Sequence, residues 1–434
     1  MTEQLHDAGT DLAAGISFDS ARAEQLYRER ARRLDDVIAL RTPDRVPIIH
    51  YSMFWHATYA GISFRDAMYD YDKLEAADSK VIDLLEPDAV VPPHPINALG
   101  PAMEIMGYRG LEWPGHGVSD HQTYQYIDRE YMSAKEYDDY IEDPSWFCFT
   151  RYLPRLIEAC EPLDRLPAMA GVQHLRLVMA SRYFAAPGVQ EAFARMAKAG
   201  AETHRMLTRA SRYATAMMAR GYPLGHAAAC NSPYDYFADY LRGSKGVMLD
   251  MFRNKDKLLA AMERAIPIIA KAPIRDIGDK PCRIVFLPMH WGLDGFMSPE
   301  QFKTFFWPQL RQVLMRLIDA GLTPLVLWEG DCTSRMEVIA DIPKGKAIYW
   351  FERGDLFRAK EVLADTVCLR GNVPASLYNT AGPAEMRDYC RKLIEVVGKD
   401  GGFILDGAIG IPDEARTENV LEMYKTAREV GRYS

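Results

Sequence analysis

No stretch of the 434 residues reaches about 18 uninterrupted apolar residues, so no membrane-spanning helix is written into the chain. The opening MTEQLHDAGTDLAAG has neither the basic start nor the apolar run of a secretory signal, and the expectation is a soluble, cytoplasmic protein. Seven cysteines, at 148, 160, 230, 282, 332, 368 and 390, include no CxxC pair. Their odd number and scatter exclude a disulfide framework and a zinc ribbon, and fit a reducing compartment. No GxGxxG, GxxxxGK[ST], GxSxG, HExxH or EF-hand loop occurs, which removes support for dinucleotide, nucleotide, serine-hydrolase and calcium-loop readings. Runs of Lys or Arg are missing too. With 52 basic against 60 acidic residues and a net charge of −8, nucleic acid is not an expected partner, and neither is a membrane.

What is present is the composition of a folded chain, 48% apolar and 26% charged, with enough apolar mass for a large core. A helical pattern over 20–40 puts Leu26, Leu34, Val37 and Ile38 on one face and reads as an N-terminal helical extension over 1–45. Eight strand-like runs follow, at 46–50, 88–91, 168–172, 283–287, 324–327, 347–350, 366–369 and 402–405. Helical stretches such as 299–320 and 383–397 separate them. That alternation predicts parallel strands with crossover helices, and eight units predict a (β/α)₈ barrel over 46–434. Long insertions are expected after the second and third strands, over 94–166 and 174–281. A doubly wound open sheet is the competing layout.

Barrel enzymes take their chemistry from the carboxyl ends of the strands. Reading just past each run gives His50, His94, His174, His290, Glu329 with Asp331 and Cys332, Glu352 with Arg353, Arg370 with Asn372, and Asp406. Converging on one mouth, such titratable groups would suit catalysis or metal binding. Each also has a plainer reading. The histidines can be hydrogen-bonded loop residues, Cys332 a small helix-start residue rather than a dipole-activated thiolate, Asp406-Gly407 a turn, and Arg370 the partner of a nearby carboxylate. Met206, Met217 and Met218 read as adaptable core.

Several ordered segments resemble the uroporphyrinogen decarboxylase superfamily, which also holds cobalamin-linked methyltransferases. They are 41–47 (RTPDRVP), 59–63 (YAGIS), 87–90 (PDAV), 297–302 (MSPEQF) with Pro308, 369–374 (LRGNVP), 401–405 (GGFIL) and 411–415 (IPDEA) with 418–420. The resemblance covers about 41–430 and implies a (β/α)₈ barrel, often dimeric. Two departures are visible. The Arg-rich segment that binds propionates in the decarboxylases is replaced by 50–56 (HYSMFWH), which speaks against porphyrinogen decarboxylation. The His-X-Cys and Cys zinc ligands of the methyltransferases are replaced by 327–329 (LWE) and 406–409 (DGAI). Glu329, His290 and Asp406 would make a harder oxygen and nitrogen metal site, for zinc or another divalent ion.

Without metal, Glu329 would be a general acid or base, its pKa raised by Trp328, with His290 as proton partner and Asp331 beside them. His50, His94, His174, Trp291, Trp328, Arg370 and Asn372 are the candidate substrate-binding residues, with Trp55, Tyr349 and Trp350 adding apolar wall. The resemblance implies methyl transfer from a small ether, amine or thioether to a corrinoid, free or on a carrier protein, in a homodimer. A metal-free decarboxylase of another carboxylated substrate is the alternative, and a binding module that has lost catalysis is a third.

Overall fold

Short runs rich in β-branched and aromatic residues become strands buried on both faces, as parallel pairing beneath helices requires. The computed structural model describes residues 13–169 and 172–433. Its parallel strands are β1 (Ile49–His50), β2 (Ala89–Val90), β3 (Ala228–Ala229), β4 (Ile284–Met289), β5 (Thr323–Trp328), β6 (Ile348–Phe351), β7 (Cys368–Val373) and β8 (Phe403–Gly407). Strands β3 to β8 pair in chain order in one six-stranded sheet, and β1 pairs with β2. Single parallel bridges flank both: Ile48 to Leu405 of β8, and Val90 to Leu224 just ahead of β3. The fold is therefore mixed α/β with parallel sheets.

The principal helices are α1 (Ala21–Ile38), α2 (Tyr71–Leu85), α3 (Val189–Ala219), α4 (Lys255–Ile277), α5 (Trp307–Asp319), α6 (Leu356–Leu363), α7 (Pro383–Val396) and α8 (Thr417–Val430). In α5, Leu310, Val313, Leu314 and Leu317 recur at helical spacing and are all buried, which presses one stripe onto the sheet. Strand side chains alternate between two faces. The outer face, with Val285, Leu287, Met289, Val326, Trp328, Tyr349 and Leu405, packs under the helices. The inner face carries Ile49, Ala89, Ile284, Leu325, Leu327, Ile348, Trp350, Cys368 and Ile404, and Leu34 and Val37 of α1 join this cluster.

Helix α1 begins where Ser20 accepts the Ala23 N–H. It is tied down by charge as well as by Leu34 and Val37. Arg33 bonds both Asp44 and Asp88, Arg45 bonds Asp88 at 2.6 and 2.8 Å, and Asp88 also accepts the Ile48 N–H. Asp88 is 1% exposed and Arg33 6%. Removing one partner from such a buried network typically costs about 3–5 kcal/mol. Asp88→Ala is expected to lose that much in chemical denaturation, with hydrogen exchange in α1 speeding up first. Unchanged protection of α1 would show that its apolar face alone holds it.

Two sequence expectations are corrected. The third strand is not at 168–172: residues 170 and 171 lie outside the described residues, and Ala168, Met169 and Val172 are not strand. It lies instead at β3, in an alanine run that strand propensity does not mark. Consequently the long connections are not placed as expected. One stretch, 91–227, follows β2 and includes a small sheet at 111–126 as well as α3, while the connection after β3 is shorter.

Candidate active site

The inner-face register continues past the strand ends, and this decides which polar groups meet. In β4 the series Ile284, Phe286, Pro288 leads to His290, and in β5 Leu325 and Leu327 lead to Glu329. Gly330, at φ 143°, turns the chain immediately afterwards, and a Cβ there would lie 2.5 Å from Leu293. His290 Nε2 and Glu329 Oε1 stand 3.7 Å apart, with both side chains about a third exposed. That is an ion contact, too long for a hydrogen bond.

Behind His290 lies a pair of buried carboxylates. Asp235 and Asp239 sit one helical turn apart at Pro233–Asp235 and in the π-turn Tyr236–Leu241, which starts where Ser232 caps the Asp235 N–H. Asp239 takes His290 Nδ1 at 2.7 Å and Trp291 Nε1 at 2.6 Å, while Asp235 accepts the backbone N–H groups of both residues at 3.3 and 3.2 Å. Two carboxylates thus hold four donors of one dipeptide. Burial opposes charge on His290, but its bond to Asp239 and the neighbouring Glu329 and Asp235 raise its pKa well above the ordinary imidazole value. Burial, together with the Asp239 charge, raises Asp235 against the opposing pull of His290. The unit presents an imidazolium whose Nε2 stands 3.7 Å from Glu329 Oε1.

Deeper on the same face, Arg370 bonds Asp406 through Nε at 2.8 Å, its Nη2 makes an ion contact at 2.6 Å, and both residues are 1% exposed. The guanidinium lies 3.8 Å over the Trp350 ring, and Trp350 Nε1 donates to the Gly407 carbonyl. Burial outweighs Arg370 and lifts the Asp406 pKa above the usual carboxylate range. Asn372 donates to the Gly354 carbonyl and accepts from Tyr389. Tyr51 and Phe286 pack against Trp350, Tyr51 edge-on at 5.5 Å and Phe286 at 6.4 Å, and His226 stacks on Phe286 at 5.3 Å. Burial, then Arg370, hold His226 neutral, with a pKa of about 3. Burial, with Glu329 nearby, pushes Tyr51 up to about 12.

Other sequence candidates face elsewhere. His50 turns outward to Asp78 of α2 at 3.8 Å, and His94 bonds Glu75 of the same helix at 2.8 Å, so neither reaches the inner face. His174 is exposed at the start of the helix Leu175–Ala180, away from any strand end, because the third strand lies elsewhere. Trp328 points to the outer face among Phe302, Phe306 and Tyr349, so alternation sets it opposite Glu329 and it cannot desolvate that carboxylate. Tyr349 and Trp55 belong to the outer core as well. Asp331 is exposed and accepts the Thr333 N–H and hydroxyl, a loop cap. Cys332 is fully buried; burial, with Asp294 and Asp331, raises its pKa far above the usual thiol value, so it stays a thiol and not the activated thiolate weighed from sequence. Trp291 remains at the site, half-buried against Phe296.

The metal grouping of Glu329, His290 and Asp406 does not form. Asp406 is bonded to Arg370 and His290 Nδ1 to Asp239. Among the described residues no set of three or more His, Cys, Asp or Glu side chains is placed to hold a metal ion. The donor set therefore does not fit zinc. Asp235, Asp239, His226, Tyr51 and Phe286 were not singled out from sequence. For the first two a signal existed: the helix start Ser232-Pro233 followed by carboxylates at i and i+4 inside a run of Tyr and Phe, where a buried charge needs a partner.

Comparison with known proteins agrees with this architecture. No curated protein sequence matches at a significant level. A solved methyltransferase from Methanosarcina mazei superposes with a TM-score of 0.58 over 92% of this chain and 98% of its own, at 15% identity, a likeness of fold. The family description for uroporphyrinogen decarboxylase (URO-D) matches residues 189–430, more than half of the sequence and all of the strands from β3 onward. On that match the chain belongs to the uroporphyrinogen decarboxylase family.

Proposed function

We propose that this protein is a methyltransferase that moves a methyl group from a heteroatom of a small molecule to cob(I)alamin, a reactant here, and that His290 is its general acid. One observation carries the reading: His290 is held as an imidazolium by Asp239, with its Nε2 3.7 Å from Glu329 and both side chains partly exposed. The corrinoid would supply the nucleophile for the methyl carbon; as the carbon–heteroatom bond breaks, the electron pair left on the heteroatom takes the Nε2 proton of His290. Glu329 steadies the cation beforehand and can relay a proton back from solvent. A positioned acid of this kind contributes about 10²- to 10⁴-fold. No step is assigned to zinc.

The two flanking bridges, Ile48 to Leu405 and Val90 to Leu224, support closure of the strands into a (β/α)₈ barrel with α1 as an added N-terminal element. That closure would gather His290, Glu329, Arg370 and Asp406 around one mouth. We propose that the protein works in the cytoplasm as a homodimer, with corrinoid delivered free or by a carrier protein. No described helix is long and apolar enough to cross a membrane. The decarboxylase reading could use the same imidazolium to protonate a carbanion, but Arg370, spent on Asp406, is a poor receptor for a substrate carboxylate.

The test is incubation with cob(I)alamin and a panel of O-, N- and S-methyl compounds. Methylcobalamin should appear with the parent protein and form about 10²- to 10⁴-fold more slowly with His290→Gln. Release of CO₂ from carboxylated compounds without corrinoid, and no methylcobalamin from any donor, would overturn it.

A further inference from the structure

A six-residue helix is too short to persist in water by its own hydrogen bonds, so packing of its apolar face must hold it. Leu175–Ala180 is such a helix, and it leaves that face open. Leu175, Val178 and Met179 fall at i, i+3 and i+4 and are 70%, 68% and 65% exposed, while Ala180, on the far side of the helix, is buried. The large side chains thus form one stripe that points away from the protein. Leu177 in the helix and Phe184 in the turn Ser181–Ala185 add further exposed apolar surface. A surface helix of a folded chain normally turns such a stripe to the core, and a contiguous exposed apolar patch marks an interaction site.

The patch has a definite place. Val189 and Ala192, in the first turn of α3, pack with Leu166, Tyr183 and Ala186 around it. Further along α3, Glu202 accepts the hydroxyl of Tyr71, the first residue of α2. Because α2 leads from the carboxyl end of β1 back to β2, Tyr71 lies on the carboxyl-end side of the strands. Residues 189–201 of α3 continue past it for roughly 20 Å at 1.5 Å per residue, so the patch stands at the tip of a helix projecting from that side. Parallel bridges join β1 and β2 to the main sheet, which puts His290 and Glu329 on the same side.

Charge selects what covers the stripe. The chain as a whole carries −8, yet 165–198 holds five basic residues, Arg165, Arg176, Arg182, Arg195 and Lys198, against the single acidic Glu191, a local balance of +4. Arg195 is spent on Glu158. Among the described residues Arg176 and Arg182, which flank the stripe, make no ion pair, and Arg182 lies 4.9 Å over the Tyr183 ring. A second copy meeting the stripe through its own would set these cations against themselves, since a two-fold contact matches like with like. A groove in a partner protein takes anchors at i, i+3, i+4 and i+7, and i+7 here is Arg182, so the apolar pattern ends after one turn. An anionic lipid surface requires no second turn: apolar side chains enter the headgroup boundary while long-stemmed cations stay at the phosphates. We propose that Leu175, Val178 and Met179 insert into the surface of a membrane containing anionic lipid, with Arg176 and Arg182 at the headgroups, and that this turns the carboxyl ends of the strands toward the bilayer. The acidity of the whole chain, which argued against a membrane partner, is screened beyond about 8–10 Å and leaves this local charge in control.

Flotation of the full chain with lipid vesicles tests this independently of any reaction. At low salt the protein should rise with vesicles of equal parts phosphatidylcholine and phosphatidylglycerol, rise little with pure phosphatidylcholine, and be released as salt increases. Val178→Asp should weaken the partition at least about 10-fold. Arg176→Gln with Arg182→Gln should weaken it about 30-fold, near 5-fold for each cation. These positions are exposed, so the melting temperature should not move, and Leu175→Asp serves as a second apolar variant. No flotation of the parent protein with the mixed vesicles, equal flotation with both compositions, or folded variants that float like the parent would overturn the proposal. So would self-association in sedimentation that Val178→Asp abolishes while vesicles leave the protein unbound, a result that would give the stripe to a second copy.

Discussion

Asp239→Asn should lower methyl transfer by about 10²- to 10⁴-fold and move the alkaline limit of the rate to lower pH. Asparagine keeps the shape but not the charge that faces His290 Nδ1 at 2.7 Å, so the imidazole titrates closer to its ordinary value of about 6.5. The same substitution changes stability with a definite sign. Because the folded pKa of His290 is raised, the stabilisation from its cation is complete below the unfolded value of about 6.5 and is lost as pH rises through the folded value. The stability difference between the parent protein and Asp239→Asn should therefore be largest in acid to neutral solution and shrink in alkali. A pH–rate profile and denaturation at several pH values read both effects. An alkaline limit unchanged by the substitution would remove His290 from the role of acid.

Asp406→Ala should destabilise the fold by about 3–5 kcal/mol, because it strands the Arg370 cation, 1% exposed, against Trp350. Replacing both, as in Arg370→Met with Asp406→Leu, should recover most of that loss. The raised pKa of Asp406 supports this: burial costs its charge more than Arg370 returns, so the pair is not a device for stability. A double-mutant cycle by denaturation measures the coupling. If the double variant were as unstable as Asp406→Ala, packing around the pair rather than its charge would be the cause.

Local pattern alone carried much of this. The helix over 21–38 follows from its apolar spacing, and seven of the eight strands from apolar runs bounded by turns and helices, because such signals are contained in a few neighbouring residues. His290 and Glu329 were visible as polar groups ending apolar strands, where they need a partner or a use. The third strand was not, since a run of alanines carries little strand propensity. Likewise Trp328 and Glu329 are adjacent in sequence yet lie on opposite faces, a consequence of alternation that only the register settles. Tertiary structure also decided what each charge meets. It set Asp239 against His290 across 51 positions of chain and Arg370 against Asp406 across 36, and it left His50 and His94 to α2. Charge interactions weaken with distance, so residue types can announce that a site exists while only the packing of distant segments decides which charge meets which.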